Sequence, residues 1–415
     1  MTIVEFFDGV SIDNMASCLA IKPDKIIFIG ENKPMKEQEE VYGRFAKSYG
    51  LNVVIDYKPI NKNSVDQIVS VLTKIVESEE NCAFDLTGGE DLVLVAMGIV
   101  FEKYRGTGKI QMHRFNVRYG TIYDCDSDGE LPDIEPLKLT VKDNIALYGG
   151  SIVSYNGKKG TYDWNFDDEF ESELRVMWEI CKKNPGLWNL VTGTLGYMAA
   201  ESDNSNKLEV SVNKNHIEEL MKKEKCKYKW SKGIMKAFEQ KGFISGLVDA
   251  EETAAFTFKN EQIKMCLTKE GTLLELIVLL YSKAVRLKDG SLKFDDAVNG
   301  VYIDWDSELH SISDEEKDTE NEIDVVLMRG LVPIFVSCKN GSFDENELYK
   351  LNTVAERFGG PYAQKVLVAS YYGKKNVEGN KFFVQRANDM KIQLIENVHE
   401  LSEAAFMKEI RKIVC

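Results

Sequence analysis

Histidine is nearly missing from this chain: four residues in 415. Histidine-rich metal or acid–base chemistry has little to work with. The eight cysteines are scattered and form no CxxC pair. A structural zinc site and a disulfide framework are therefore not expected, and a reducing cytoplasm fits best. No apolar run approaches the roughly 20 residues that span a bilayer. The opening "MTIVEFFDGVSIDNMA" has neither a basic start nor a long apolar stretch, so neither a signal peptide nor a membrane partner is expected. Positive charge is short as well, with 52 Lys and Arg against 67 Asp and Glu, a net charge of −15. A tight, constitutive binder of duplex DNA is usually basic. Nucleic-acid chemistry here would need a local basic groove, and bound cations to offset the acids. Internal repeats and the GxGxxG dinucleotide fingerprint are both missing.

What remains is the profile of a globular protein of two or three domains, with 44% hydrophobic and 29% charged residues. Over residues 1–125, apolar runs of strand length ("TIVEFF", "KIIFIG", "NVVIDY", "CAFDL") alternate with helical patterns near 34–50, 63–79 and 90–104. That alternation predicts parallel strands with helical crossovers, a Rossmann-like sheet. "KIQMHRFNV" and "GTIYDC" read as a closing hairpin. A polar connector follows, with a short helix near 140–148. Residues 166–250 read as mostly helical, and "WSKGIMKAFEQKGFISGLVDAEETAAFTF" predicts a helix and β-hairpin of winged-helix type. That unit is either a packing insert or a DNA reader. In "TKEGTLLELIVLLYSKAVRL", Thr268 is expected to cap an apolar helix. Next come a strand in "GVYIDWD", an acidic loop "SISDEEKDTE", a hairpin in "NEIDVVLMRGLVPIFVSCKNG", and a helix, strand, helix, strand and final helix.

Two places carry chemistry. "FDLTGGEDLVLVAMG" puts Thr87, Gly88, Gly89 and Glu90 between a buried strand and a helix. Glycines permit close backbone approach, and the helix start offers free N–H groups to phosphate. Ligands of open parallel sheets bind at the carboxyl ends of the strands. The loop after the first strand (Asp8, Gly9, Val10, Ser11) is expected on the same edge. In the hairpin, Glu322 and Asp324 share one strand face, as do Ser337 and Lys339. Carboxylates suit Mg²⁺ or Mn²⁺, and a lysine beside them suits a phosphodiester. Glu275 on the preceding helix would be a further acid, and Glu322 would make up the carboxylate that Ser337 lacks. The backbone carbonyl of Cys338 also suits a hard cation, while its thiol is expected to pack in the core.

Together the two ends resemble a known family. "DLTGG" is similar to the turn of a CRISPR-associated Rossmann-fold (CARF) domain. "GTLLELIVLLYSKA", "NEIDVVLMRGLVPIFVSCKNG" and "LNTVAERFGG" resemble a PD-(D/E)xK nuclease. The pair resembles the CARF-domain ancillary nucleases of type III CRISPR defence. The implied fold class is α/β, with a CARF domain at 1–145, a connector and winged-helix-like region at 146–260, and a restriction-endonuclease-like domain at 261–415. The resemblance implies a homodimer that binds cyclic oligoadenylate, most often cyclic tetra-adenylate, and then cuts single-stranded RNA or DNA, or duplex DNA, with a metal ion. Glu275 matches the helix acid, Asp324 the central metal ligand and Lys339 the catalytic lysine; Cys338 would stand in the metal site through its carbonyl. Relatives commonly continue the glycine turn with threonine and lysine, where this chain has Glu90 and Asp91. Lys109, His113, Arg114 and Arg118 are candidates to offset those acids. The competing expectation is a non-enzymatic, ligand-sensing regulator whose winged helix binds DNA.

Overall fold

The computed structural model describes residues 1–127, 129–131, 135–157, 159–202, 207–308, 320–341, 344–370 and 377–413. The acidic loop expected at 311–319 lies outside them. The apolar runs of the first 125 residues form strands β1 (Thr2–Phe6), β2 (Lys25–Gly30), β3 (Val54–Pro59) and β4 (Cys82–Asp85). Helices α1 (Ser11–Ile21), α2 (Asn32–Tyr49) and α3 (Val65–Ser78) connect them, and α4 (Asp91–Tyr104) leads on to β5 (Ile110–Asn116), β6 (Thr121–Asp124) and β7 (Gly129–Glu130). The sheet order is β3-β2-β1-β4-β5-β6-β7. β1 to β5 are mutually parallel, and β6 and β7 are added antiparallel beyond β5. Strand order switches direction between β1 and β4, so their carboxyl ends open a crevice there.

The middle of the chain is mostly helical, as its sequence suggests, with one short strand, β9, added to the expected hairpin. After α5 (Val141–Leu147), β8 (Ser151–Ile152) and α6 (Asp168–Cys181) come α7 (Pro185–Glu201), β9 (Glu209–Asn213), α8 (Lys214–Lys223), α9 (Lys232–Gln240), β10 (Ile244–Asp249) and β11 (Thr253–Phe258). The antiparallel order β10-β11-β9 completes a winged-helix arrangement. Asn184, Asn213 and Ser231 start its three helices, each accepting a backbone N–H three residues on.

The last third contains α10 (Glu261–Thr268), α11 (Thr272–Ala284), β12 (Asp296–Asp304), β13 (Glu320–Arg329), β14 (Val332–Lys339), α12 (Asn346–Gly359), β15 (Gln364–Ala369), α13 (Val377–Asp389), β16 (Ile392–Ile395) and α14 (Glu403–Arg411). Its sheet runs β16-β15-β14-β13-β12-β8, parallel from β16 to β14 and antiparallel beyond. One expectation is corrected. Thr268 does not cap the long apolar helix: it ends α10, its hydroxyl donating to the Lys264 carbonyl at 2.7 Å. Gly271, at φ 89°, then breaks the chain so that α11 starts at Thr272. A left-handed backbone of this kind suits glycine. The break puts Glu275 in the first turn of a fresh helix.

The second sheet is buried on both faces. Val325, Leu327 and Val336 pack with α6, α11 and α14. Val326, Met328 and Phe335 join Met15, Tyr42, Phe45 and Phe358 in one core, so the two large sheets share apolar packing through α1, α2 and α12. Val93, Met97 and Val100 of α4 close the other face of the first sheet with α3. No helix among the described residues is long and apolar enough to cross a membrane. Their seven cysteines are free thiols.

One acid sits inside this packing. Glu5, in β1, is 0% exposed, and neither carboxylate oxygen has a hydrogen-bond partner. Burial first, then the charges of Asp85, Asp13 and Asp8, push its pKa well above the ordinary 4.5. In the unfolded chain Glu5 loses its proton at the lower, ordinary pH. Stability is therefore lost as pH rises from about 4.5 towards the folded-state pKa. Glu5→Gln, which cannot ionise, is expected to gain stability relative to the wild type as pH rises from 5 to 8. Urea melts of both proteins at the two pH values test this; a stability difference independent of pH contradicts it.

Candidate functional site

The crevice at the β1–β4 switch point brings the two expected loops together. A Cβ on Gly88 would lie 3.2 Å from Cβ of Asp8, so the glycine turn and the loop after β1 touch. The first loop is held from below by buried Asn14. It accepts the Asp8 N–H at 2.8 Å, and its amide donates to the Asp8 carbonyl and the Tyr42 hydroxyl, each at 2.8 Å. Asp8 in turn accepts the Val10 N–H at 3.2 Å. Gly9 is exposed, and Ser11 begins α1. In the second loop Thr87 is tied to Asp85 through its N–H and hydroxyl, and its hydroxyl oxygen accepts the Phe115 N–H at 2.8 Å. Gly89 has φ 130°, and a Cβ there would come within 2.9 Å of Leu94. The acid of Glu90 is offset by Lys62, 2.8 Å away, a partner the sequence did not suggest. Among the cations considered from sequence, Lys109 precedes β5 at the opposite edge of the sheet, and His113 is buried 3.6 Å from Asp85. Arg114 and Arg118 lie near Tyr362, where their charges oppose the rise in its pKa that burial and Asp13 cause.

The second site lies where β13 and β14 part. Their last paired residues are Val325 and Val336. Beyond them the Asp324 carboxylate takes the place of a ladder partner. One oxygen accepts the Cys338 N–H at 2.5 Å and the Ser337 hydroxyl at 3.2 Å, and lies 3.5 Å from the Lys339 ammonium. Ser337 is thus a donor that orients Asp324. Glu347, in the first turn of α12, binds Lys339 at 3.0 Å. The sequence reading placed that helix but had no signal for which residue faces the lysine. Burial works against the charge on Lys339, yet Asp324 and Glu347 more than reverse this and hold its pKa above the ordinary value. Glu275 comes from the α11 side. Burial, then Asp324 and Glu322, push its pKa well up, while Lys339 and Lys269 act against the rise. Glu322 is exposed and paired in register with Tyr302. The Cys338 thiol is packed in the core on the α11 side, its pKa raised by burial and by Asp324 and Glu275.

The two sites are joined by α12. Its far end turns at Gly360, φ 52°, close to Val10. The next residues present Tyr362, whose hydroxyl donates to Asp13 of α1 at 2.8 Å. Burial lifts the Asp13 pKa to about 6, partly countered by this hydrogen bond. Neither Asp13 nor Tyr362 carries a sequence signal, because the pair is 349 positions apart.

Two solved structures share this fold. Protein VC1899 from Vibrio cholerae matches with a TM-score of 0.71 at 19% identity, over 99% of this chain and 98% of that one. Can2 from Sulfobacillus thermosulfidooxidans, solved in complex with cyclic tetra-adenylate, matches with a TM-score of 0.65 at 16% identity, over 99% and 96%. No family model and no curated protein matches the sequence. At such identities the likeness establishes the architecture: a Rossmann-like sheet, a helical middle region and a second α/β sheet, over nearly the whole chain.

Among the described residues no group of three or more His, Cys, Asp or Glu is arranged to hold a metal ion. The donors at the split strand ends nevertheless suit a hard cation. They are carboxylates, and the repulsion from Asp324 and Glu322 that adds to burial in raising the Glu275 pKa is what a divalent ion would relieve. Asp324→Ala and Glu275→Gln are each expected to weaken Mn²⁺ binding at least tenfold by calorimetry. Glu322→Gln should weaken it less, and Ser337→Ala, which leaves the Cys338 N–H on Asp324, least. Loss of binding in Ser337→Ala with none in Glu275→Gln would contradict this donor set.

Proposed function

We propose that the chain is a metal-dependent endonuclease of type III CRISPR defence, switched on by cyclic oligoadenylate and acting as a homodimer in the cytoplasm. The observation that carries the reading is the grouping of Asp324, Lys339 and Glu275 at the split end of a β-hairpin, on a fold shared with a cyclic tetra-adenylate complex. Asp324 and Glu275, with the Cys338 carbonyl and Glu322 alongside, would hold Mg²⁺ or Mn²⁺. The ion, when bound, polarises a phosphate oxygen and acidifies water. Asp324 is fixed by Ser337 and Cys338 before substrate arrives. Lys339, kept protonated by Asp324 and Glu347, sets a positive charge beside the scissile phosphate. The substrate is RNA or DNA, cut with low sequence specificity.

The crevice of Asp8–Ser11 and Thr87–Glu90 would hold the activator, cyclic tetra-adenylate in the first instance. Leu92, Val95 and Ile99 of α4 are 40%, 52% and 48% exposed and fall on one helical face that starts beside the glycine turn. A second copy covering this stripe would bring two crevices to one twofold ring. The ligand activates only by favouring the active arrangement, and the contact between Tyr362 and Asp13 is a direct route from crevice to α12.

A panel of labelled single-stranded and duplex RNA and DNA, with Mn²⁺ and cyclic tri-, tetra- or hexa-adenylate, tests the whole. Asp324→Ala and Lys339→Ala should each cut about a hundred- to a thousandfold more slowly, the loss of about 3–4 kcal/mol typical of a transition-state contact. Both should bind the activator normally, and normal cutting by Lys339→Ala would remove the assignment. Val95→Asp combined with Ile99→Asp is expected to turn a dimer into a monomer in light scattering. An unchanged mass would place the interface elsewhere.

A further inference from the structure

Positive charge is scarce in this chain and unevenly spread. Residues 222–241, KKEKCKYKWSKGIMKAFEQK, contain eight lysines and two glutamates, a local charge of +6 (eight minus two) in a chain of −15. All eight lysines are exposed. Elsewhere lysines are drawn to acids, as Lys62 is to Glu90, Lys214 to Asp249 and Lys259 to Glu169 and Glu173. Among the described residues none of these eight makes an ion pair. Such a cluster repels itself, and a polyanion relieves it.

The lysines sit on a firm support. They run from the end of α8 through the turn and along α9. Met235 and Phe238 bury the inner face of α9, and the Lys229 N–H donates to Thr194 at 2.9 Å. Lys232, Lys236 and Gln240 are four apart and share the outward face. The second helix of a helix-turn-helix is the element that fits a major groove. The chemistry also separates kinds of nucleic acid. The stretch has no arginine to fork onto a base, and lysine acts as a point charge on phosphate. Single-strand platforms need free aromatic faces. Here Trp230 donates to Asp249 at 3.1 Å and its ring lies 5.0 Å from the Lys214 ammonium, while Tyr228 is half-buried against the core. The tip between β10 and β11 carries Glu251 and Glu252, which would be repelled by phosphate, so the wing is not the grip.

We infer that α9 and the turn before it form a docking face for duplex nucleic acid, which holds the phosphate backbone along a groove without reading sequence. The inference deepens the nuclease reading by naming duplex as a substrate class, and rests on that reading only for what docking achieves. The test is fluorescence anisotropy of the full-length protein with a labelled mixed-sequence DNA duplex in EDTA, over a salt titration. Affinity should fall steeply with salt, by about 0.9 log units per log unit for each phosphate neutralised. Lys229→Glu, Lys232→Glu and Lys236→Glu together should weaken binding at least tenfold and make the salt slope shallower by about three. Lys33→Glu with Lys36→Glu, on α2, should leave both unchanged. If the triple Glu variant melts early, the same three lysines changed to Gln serve instead. Unchanged duplex affinity in a folded triple variant, or a single strand bound as tightly as the duplex, overturns the proposal. Duplex binding lost in the triple variant, with no RNA or DNA cut by the wild type in Mn²⁺ and any of the three cyclic oligoadenylates, would sustain the docking face and sink the nuclease reading. Cutting of duplex with the same KM in the triple variant would do the reverse.

Discussion

Lys339 is held between Asp324 and Glu347, where the split end of the β13–β14 hairpin meets the start of α12. A lysine driven into partial burial tends to shed its proton. Two carboxylates from different elements prevent that, one from the splayed end of β13 and one from the first turn of α12. Glu347 is itself kept below the usual carboxylate range by Lys339 and Lys350, against the effect of its burial. The arrangement therefore tolerates little movement of α12 along its axis. A shift of one turn, about 5.4 Å, would withdraw Glu347 from the lysine and leave Asp324 as its sole partner.

The other end of α12 is equally constrained. The side-chain amide of Asn144 donates to the Phe358 carbonyl at 2.7 Å, and Gly360 turns the chain towards the crevice. Fourteen helical residues span about 21 Å, so one rigid rod has Lys339 at its start and Asp13 near its finish. The apolar core shared by the two large sheets removes the slack that a flexible linker would introduce. A movement of the first turn of α1 must either break the bond between Tyr362 and Asp13 or carry the end of α12 with it. Coupling of this kind follows from packing that is discrete rather than elastic.

The sequence showed the parts of this machine better than their joints. Strand and helix alternation over residues 1–125 was legible because β-branched runs and helical periods have different spacing. The same holds for the hairpin and for Glu275, Asp324 and Lys339, which lie on recognisable elements. Thr268 was misread because threonine before an apolar run looks like a cap; Gly271, with a backbone that suits glycine, makes the break. β9 went unread because EVSVN, although it alternates polar residues with valine, is only five residues long and sits between helical patterns, and pairing with β11 holds it as a strand. Glu347 and Tyr362 were invisible for a simpler reason. Their partners are set by the rotation of α12 and the turn after it, which no local pattern encodes.

The acidity of the chain and the proposed docking of nucleic acid are compatible once distance is considered. At physiological salt a charge is screened over about 8 Å. A net −15 therefore acts weakly beyond the surface, and what a polyanion meets on contact is the local field. On the face of α9 that field is positive and unopposed by nearby ion pairs. In the crevice the acids are dealt with one by one: Glu90 by Lys62, Asp13 by Tyr362, and Glu5 by burial that keeps it protonated well beyond the usual range. At the split hairpin the acids are left crowded, with Lys339 bound between Asp324 and Glu347. Three surfaces of one acidic chain thus differ in charge: exposed lysines along α9, a glycine turn at the start of α4, and crowded carboxylates beside Lys339. On the proposed reading such a division of labour is useful, because a polymer held at α9 would leave the crevice beside α12 open to an activator.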